Sequence, residues 1–169
     1  HISNVLGEID KGWGPARAVM SNESAMIGGA SGDNPQQLIQ LAHELGKVDE
    51  PVVRQKLAAV YMRNKLLKLM SEKISAAVRK GNAPPIHPSI VKLYVARNRR
   101  LEGDLAQCLL GAAGVAVTNK ASEWAMELLH ARYPISIGGG TDEVHRNNLG
   151  EQALGLPRDT RVDRGIPWK

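Results

Sequence analysis

Ile137-Gly138-Gly139-Gly140-Thr141-Asp142-Glu143-Val144-His145-Arg146-Asn147 is the stretch on which the reading of the chain turns. Three glycines run into a threonine that can cap a helix, and an amphipathic segment follows. Glycine lets a backbone approach a ligand closely, and a helix start aims N–H groups outward. An anionic group, most often a phosphate, is the natural guest of such a junction. The same residues also read as a plain tight turn with Thr141 as its N-cap. Asp142 and Glu143 occupy the positive end of the helix dipole and oppose an anion placed there. A phosphate is therefore expected to one side, on the glycine amides and the Thr141 hydroxyl.

Upstream of this junction the chain reads as helices. Val5 to Pro15 is a glycine-rich loop, and a first helix is expected from about Ala16 to Ile27, with a break at Ser31-Gly32-Asp33-Asn34-Pro35. Gln36 to Leu45 is helical in pattern and Gly46 is placed to end it. Asp49-Glu50-Pro51 starts a long helix on which Val53, Leu57, Val60, Leu67, Ile74 and Val78 recur near a 3.6-residue period. Gly81-Asn82-Ala83-Pro84-Pro85 stops it. His87-Pro88-Ser89 opens another, with Ile90, Leu93, Val95, Leu101, Leu105, Leu109 and Ala112 as its apolar positions. Ser122 to Arg132 is shorter and is followed by Pro134, and Asp142 to Leu154 is the last helix. No stretch alternates like a strand, so the fold expected is all-α, an antiparallel up-and-down helical bundle.

Composition agrees with that expectation. The chain has 169 residues, enough for one domain with a real core, and 43% of them are hydrophobic. Phenylalanine is absent, so Leu, Val, Ile, Met and Ala must fill the interior, a mix that favours helices. The net charge of +5 is modest and dispersed, which gives no nucleic-acid footprint. Its densest cluster, Arg97, Arg99 and Arg100, reads as a solvated helix face. Cys108 stands alone and fits a reducing, cytoplasmic setting. No apolar run approaches the roughly 20 residues of a membrane span.

Other chemistry finds little support. Ser89-Ile90-Val91-Lys92 has the Ser-x-x-Lys pattern of penicillin-recognising enzymes but lacks its companion motifs, so Ser89 reads as a helix cap. The histidines show no metal-ligand spacing, and no glycine cluster leads into Lys-Ser or Lys-Thr. Glu23 lies in the apolar stretch Ala18 to Ile27, where a buried carboxylate could act as a base; the alternative is a surface glutamate.

Gly139-Gly140-Thr141-Asp142-Glu143-Val144-His145-Arg146-Asn147 resembles the Gly-Thr-Asn-Glu-Ile-Gln-Arg-Asn signature of the acyl-CoA dehydrogenases. Leu154-Gly155-Leu156-Pro157-Arg158 is similar to the family's ending, and Gly7-Glu8-Ile9-Asp10-Lys11-Gly12-Trp13 to its connector out of the middle β-domain. Glu50 to Ala58 and Ser89 to Leu93 look like family segments of the actinobacterial type. The resemblance covers essentially the whole chain and is confined to the C-terminal helical domain. It implies a connector at 1–15, a bundle at 16–157 and a tail at 158–169.

It further implies FAD as cofactor, an acyl-CoA substrate, electron-transfer flavoprotein as acceptor and a homo- or hetero-tetramer. A glutamate in such enzymes removes the α-proton while hydride leaves the β-carbon. Many members carry it directly before the Gly-Thr pair, where this chain has Gly139. Other branches carry it on the first helix of this domain, at the position of Glu23, although Ser24 stands where arginine is usual. Thr141, Gly139 and Gly140 are then the expected flavin contacts, with Glu143 contributing. The family's Arg-x-x-Phe-Gly reads Ala42-His43-Glu44-Leu45-Gly46 here, and its Gln-x-x-Gly-Gly-x-Gly reads Cys108 to Gly114. Those residues normally complete a neighbour's flavin site. A non-catalytic structural subunit is therefore the alternative expectation, and a free-standing helical interaction module a weaker one.

Overall fold

The computed structural model describes residues 4–29, 34–158 and 160. Residues 1–3, residues 30–33 with the first part of the expected break at Ser31 to Pro35, and nearly all of the tail after Arg158 lie outside the described residues. Six α-helices follow in order: α1 (Trp13–Gly29), α2 (Asn34–Glu44), α3 (Pro51–Arg79), α4 (Pro88–Leu110), α5 (Lys120–Ile137) and α6 (Asp142–Asn148). A 3-10 turn at Gly111–Gly114 follows α4, and a π turn at Leu149–Ala153 follows α6. Among the described residues there is no strand. α4 is the spine of the bundle, packed against α1, α2, α3, α5 and α6.

Local chemistry sets the helix ends. Pro51 and Pro88 each stand in a first turn, where a missing N–H costs nothing. Asn119 begins α5 with a capping box: its side chain accepts from the Ser122 amide at 2.9 Å, and the Ser122 hydroxyl accepts from the Asn119 amide at 3.1 Å. The helix thus begins at Lys120, two residues ahead of the expected Ser122. It also runs through Pro134 to Ile137 rather than ending before it. Proline's fixed φ is helical, and the lost hydrogen bond is offset beyond it: Ile135 packs on the core and the Ser136 carbonyl takes a buried lysine. α1 starts at Trp13, inside the segment expected as connector. The last helix is α-helical only to Asn148, where it widens into the π turn.

Two apolar clusters form the core. The larger joins Leu38 and Leu41 of α2, Val53, Leu57 and Val60 of α3, Leu105 and Leu109 of α4, and Ala125 and Leu128 of α5. The smaller joins Leu67 of α3 to Val91 and Val95 of α4. Each fully buried Leu or Val contributes about 1.5–3 kcal/mol of transfer free energy. Some expected core positions lie outside: Ile90 and Val78 are exposed, and Ala112 stands exposed in the 3-10 turn. α4 crosses α5 at Gly103, where an added Cβ would come within 3.0 Å of the Leu128 carbonyl oxygen and 3.1 Å of the Leu129 Cα.

Between the two clusters lies a buried carboxylate. Glu102 has no exposed surface and accepts four hydrogen bonds, from Asn34, Asn64, Asn98 and Arg99, at 2.8, 2.9, 2.8 and 2.8 Å. Its donors come from α2, α3 and α4. The cation among them and the full set of donors are what make a buried charge tolerable. Glu102→Ala should therefore cost about 3–5 kcal/mol, because it removes the buried anion that Arg99 pairs with and an acceptor shared by three side-chain amides. Urea unfolding measures it, and a loss below about 1 kcal/mol, the level of an exposed pair, would contradict this account.

Candidate functional site

The glycine stretch is a bend between α5 and α6. Gly138 closes α5, its N–H donating to the Pro134 carbonyl at 2.7 Å. Gly139 (φ 65) and Gly140 (φ 99) then take left-handed conformations that side chains disfavour. Thr141 is extended and caps α6, its hydroxyl oxygen accepting from the Val144 N–H at 3.3 Å. The bend is half-buried and flanked by exposed Ile137 and Val144.

His145 holds the bend from the inside. It is buried, with Nε2 3.0 Å from the Gly139 carbonyl and Nδ1 2.9 Å from the Ser89 hydroxyl. A carbonyl can only accept, so Nε2 carries the proton. In the neutral ring Nδ1 then accepts from Ser89. Ser89 is thus not the cap of α4. That role belongs to His87, whose Nδ1 accepts from the Ser89 amide at 3.2 Å. A Cβ on Gly140 would lie 3.2 Å from His145 Nε2, so the imidazole occupies the space a side chain would need.

Electrostatically the site differs from the sequence expectation. Asp142 is buried and its charge is answered from α4. Lys92, itself buried, donates to one carboxylate oxygen at 3.1 Å, and Arg100 donates to the other at 2.7 Å. Lys92 also reaches the Ser136 carbonyl, and Arg100 the Ser136 hydroxyl. Two cations against one carboxylate leave a local surplus of positive charge. Asp142 therefore no longer opposes an anion beside the bend. Arg99 and Arg100, read from sequence as a solvated face, instead neutralise the buried Glu102 and Asp142. One signal was available: Asp142 stands where the family signature has a neutral asparagine, so its charge required a cation on whatever packed against it.

Glu143 is exposed and pairs with Arg146 at 3.1 Å. Its own backbone N–H first, then the Thr141 hydroxyl and the Arg146 guanidinium, hold its carboxyl below the ordinary 4.5. A depressed pKa means the contribution to the α6 start is present above the ordinary value and fades as pH falls through the folded one. Glu23, the expected base, is exposed on α1, as are Trp13, Val19 and Met20 on the same helix. α1 packs on α4, the helix that also carries the bend's counter-ions. Of the residues aligned with lost family contacts, Ala42 is buried in the larger cluster and Leu45 is exposed. A Cβ at Gly114 would collide with Gln107 Oε1 at 2.5 Å.

The family described as "Acyl-CoA dehydrogenase, C-terminal domain" matches residues 10–154. The chain belongs to the acyl-CoA dehydrogenase family. It is 30% identical over 125 residues to acyl-CoA dehydrogenase IpdE1 of Mycolicibacterium smegmatis, a match covering 73% of this chain and 30% of that protein. It is 27% identical over 168 residues to IpdE1 of Mycobacterium tuberculosis, covering 93% and 41%. It is 30% identical over 158 residues to acyl-CoA dehydrogenase FadE34 of the same organism, covering 91% and 21%. The solved structure titled "Tcur3481-Tcur3483 steroid ACAD" shares the fold with a TM-score of 0.80 at 22% identity, covering 94% of this chain and 43% of that one. The chain thus spans less than half the length of the relatives it matches. The acyl-CoA dehydrogenase C-terminal bundle is all-α, as expected.

In this member of the family an open pocket of about 250 Å³ abuts the bend, lined by Arg100, Asp104, Arg132, Tyr133, Ser136 and Ile137. Arg132 is held there by Asp104 at 2.9 Å and the Tyr133 hydroxyl at 2.7 Å. Among the described residues no group of three or more His, Cys, Asp or Glu could hold a metal ion, and no helix is long and apolar enough to cross a membrane.

Two outcomes follow from the geometry. Asp142→Asn keeps the shape but leaves the Lys92 ammonium buried without its anion, which should cost about 3–5 kcal/mol in urea unfolding. Adding Lys92→Met should restore a substantial part of that loss, and strict additivity would show that the pair is not coupled. Thr141→Val removes one hydrogen bond from the Glu143 carboxyl, so an NMR titration should find the Glu143 midpoint raised relative to the unsubstituted protein.

Proposed function

We propose that this chain is the C-terminal part of an FAD-dependent acyl-CoA dehydrogenase that introduces an α,β double bond into an acyl-CoA thioester. The observation that carries the reading is the half-buried Gly138–Thr141 bend, presented beside a surplus of cationic charge in a chain of this family. The stretch ahead of α1, which starts at Trp13 inside the expected 1–15 connector, then joins a preceding β-domain to the bundle.

The residues at the bend fit a phosphate-bearing cofactor. Gly139 and Gly140 hold backbone conformations that side chains disfavour, and Lys92 and Arg100 more than offset Asp142. Gly139, Gly140 and Thr141 would hold FAD. Glu143 would orient the Thr141 hydroxyl, which donates to its carboxylate. Bound FAD supplies the acceptor for the hydride that leaves the β-carbon. Glu23 takes the α-proton onto its carboxylate. It is exposed in this chain, so another part of the enzyme must exclude water around it and bring the thioester to it. The exposed apolar residues Trp13, Val19 and Met20 on α1 call for such a cover. Electron-transfer flavoprotein is the proposed acceptor of the electrons, and a tetramer in the cytoplasm the proposed assembly.

A non-catalytic subunit of a heteromeric enzyme is the second reading. Ala42 and Leu45 in place of the family's arginine and phenylalanine favour it, since neither can reach a neighbour's flavin with a charge or an aromatic ring. A similar solved enzyme has a title naming two proteins. Flavin content per purified chain separates the two readings.

Glu23→Gln in the full-length protein should lower acyl-CoA turnover by about 100-fold or more while flavin content stays unchanged. Undiminished turnover with flavin retained would remove Glu23 from the mechanism.

A further inference from the structure

The peptide between Gly139 and Gly140 joins two residues that both sit at positive φ, 65 and 99. Glycine has no Cβ to clash, so the plane of this peptide is sterically open to turning over while the chain before and after it stays in place. Turning over exchanges the sides on which the carbonyl and the N–H lie, because a trans peptide points them in opposite directions. A buried side chain holds that plane. His145, 6% exposed, has Nε2 3.0 Å from the Gly139 carbonyl, and its ring fills the space beside the Gly140 Cα. Ser89, 2% exposed, stands 2.9 Å from the other ring nitrogen. Its hydroxyl donates to Nδ1 and so keeps the proton of the neutral ring on Nε2, where the carbonyl needs a donor. Without Ser89 that proton is free to move to Nδ1, which would turn a lone pair of Nε2 on the carbonyl oxygen. The acyl-CoA dehydrogenase signature has glutamine where this chain has His145. A glutamine amide likewise carries a donor and an acceptor side by side.

We propose that His145, oriented by Ser89, is a positioning residue of the cofactor site: it selects one orientation of the Gly139–Gly140 peptide, so that FAD meets a bend already in its binding form. The inference rests on the reading of the bend as the place where FAD is held. A ligand that fits one orientation binds more weakly in proportion to the time the bend spends in others. One hydrogen bond shifts such an equilibrium by about three- to tenfold. The anchors at Ser136 and Asp142 fix where the bend begins and ends. Both lie outside the Gly139–Gly140 peptide, whose carbonyl His145 takes. In this role His145 touches no cofactor atom and acts through the backbone, from the buried side.

The test uses the full-length protein. Flavin-fluorescence titration of the flavin-free enzyme measures FAD affinity, and mass spectrometry follows amide hydrogen exchange at the bend before FAD is added. His145→Leu should weaken FAD about three- to tenfold and speed exchange at the bend, with exchange in α3 unchanged. His145→Gln should match the unsubstituted protein in both readouts, because its amide supplies a donor to Gly139 and an acceptor to Ser89. A residue that only filled space would be replaced equally well by leucine. Ser89→Ala should weaken FAD by a smaller factor, and should add nothing to His145→Leu in the double variant, since Ser89 acts through His145. That small substitution also carries the test if the leucine variant does not fold. A glutamine variant as weak as the leucine variant, or losses from Ser89→Ala and His145→Leu that add, would overturn the proposal. Unchanged FAD affinity would overturn it too, and the exchange rates tell which step failed. Fast exchange at the bend with unchanged affinity removes FAD from the bend. Slow exchange with unchanged affinity removes His145 from control of the bend's shape.

Discussion

The contact between Lys92 and Asp142 is the constraint around which the C-terminal half is arranged. Both side chains are buried, so each depends on the other as a partner that water does not supply. Asp142 opens α6 and Lys92 lies one turn into α4, which fixes the start of one helix on the side of the other. Arg100, two turns further along α4, takes the second carboxylate oxygen. The Ser136 carbonyl, near the end of α5, takes the Lys92 ammonium as well. The glycine bend runs between Ser136 and Asp142 and so has both ends anchored on the same two cations. Ser89 and His145 add a third tether from within. A bend free to sample φ > 0 at two consecutive residues becomes a bend with one shape.

α4 carries a second polar node at Glu102, and the two nodes divide the work. Glu102 gathers α2 and α3, whereas Lys92 and Arg100 gather α5 and α6. Apolar contact alone would hold these helices together, but it is tolerant of sliding and rotation. Hydrogen-bonded charges at two levels of one helix restrict both.

The helices were legible because hydrophobic period and punctuation agreed. Val53, Leu57, Val60 and Leu67 were on the buried face, and Pro51 and Pro88 stood at helix starts. Boundaries failed where an interaction distant in sequence outweighed a local rule. Pro134 did not end α5, because Ile135 and Ser136 have partners on α4 and elsewhere in the core. Ser89 did not cap its helix, because His145 lies across from it, 56 residues away. The buried lysine, glutamate and asparagine of α4 were invisible for the same reason: a period scan reads polar residues as outward-facing. The bend itself was legible, with its residues and its cap. The charge around it was not, because the counter-ions of Asp142 come from another helix. Glu23 was singled out through family likeness, and it stands exposed on α1.

The crossing of α4 and α5 at Gly103 has a bearing on all of this. Backbone there lies so close to backbone that no flexible side chain is available to yield. The two helices therefore behave as a lever pinned near Leu128, with the bend at the far end, nine residues on and roughly 14 Å along the axis. Widening the pin by a single methyl would tilt the arm. The displacement would be greatest at Ile137 and Gly138, remote from the altered atom. A harmless-looking change at the centre of the bundle would thus be registered as a misplaced glycine bend, and the geometry of the bend is in effect set by the absence of one carbon atom.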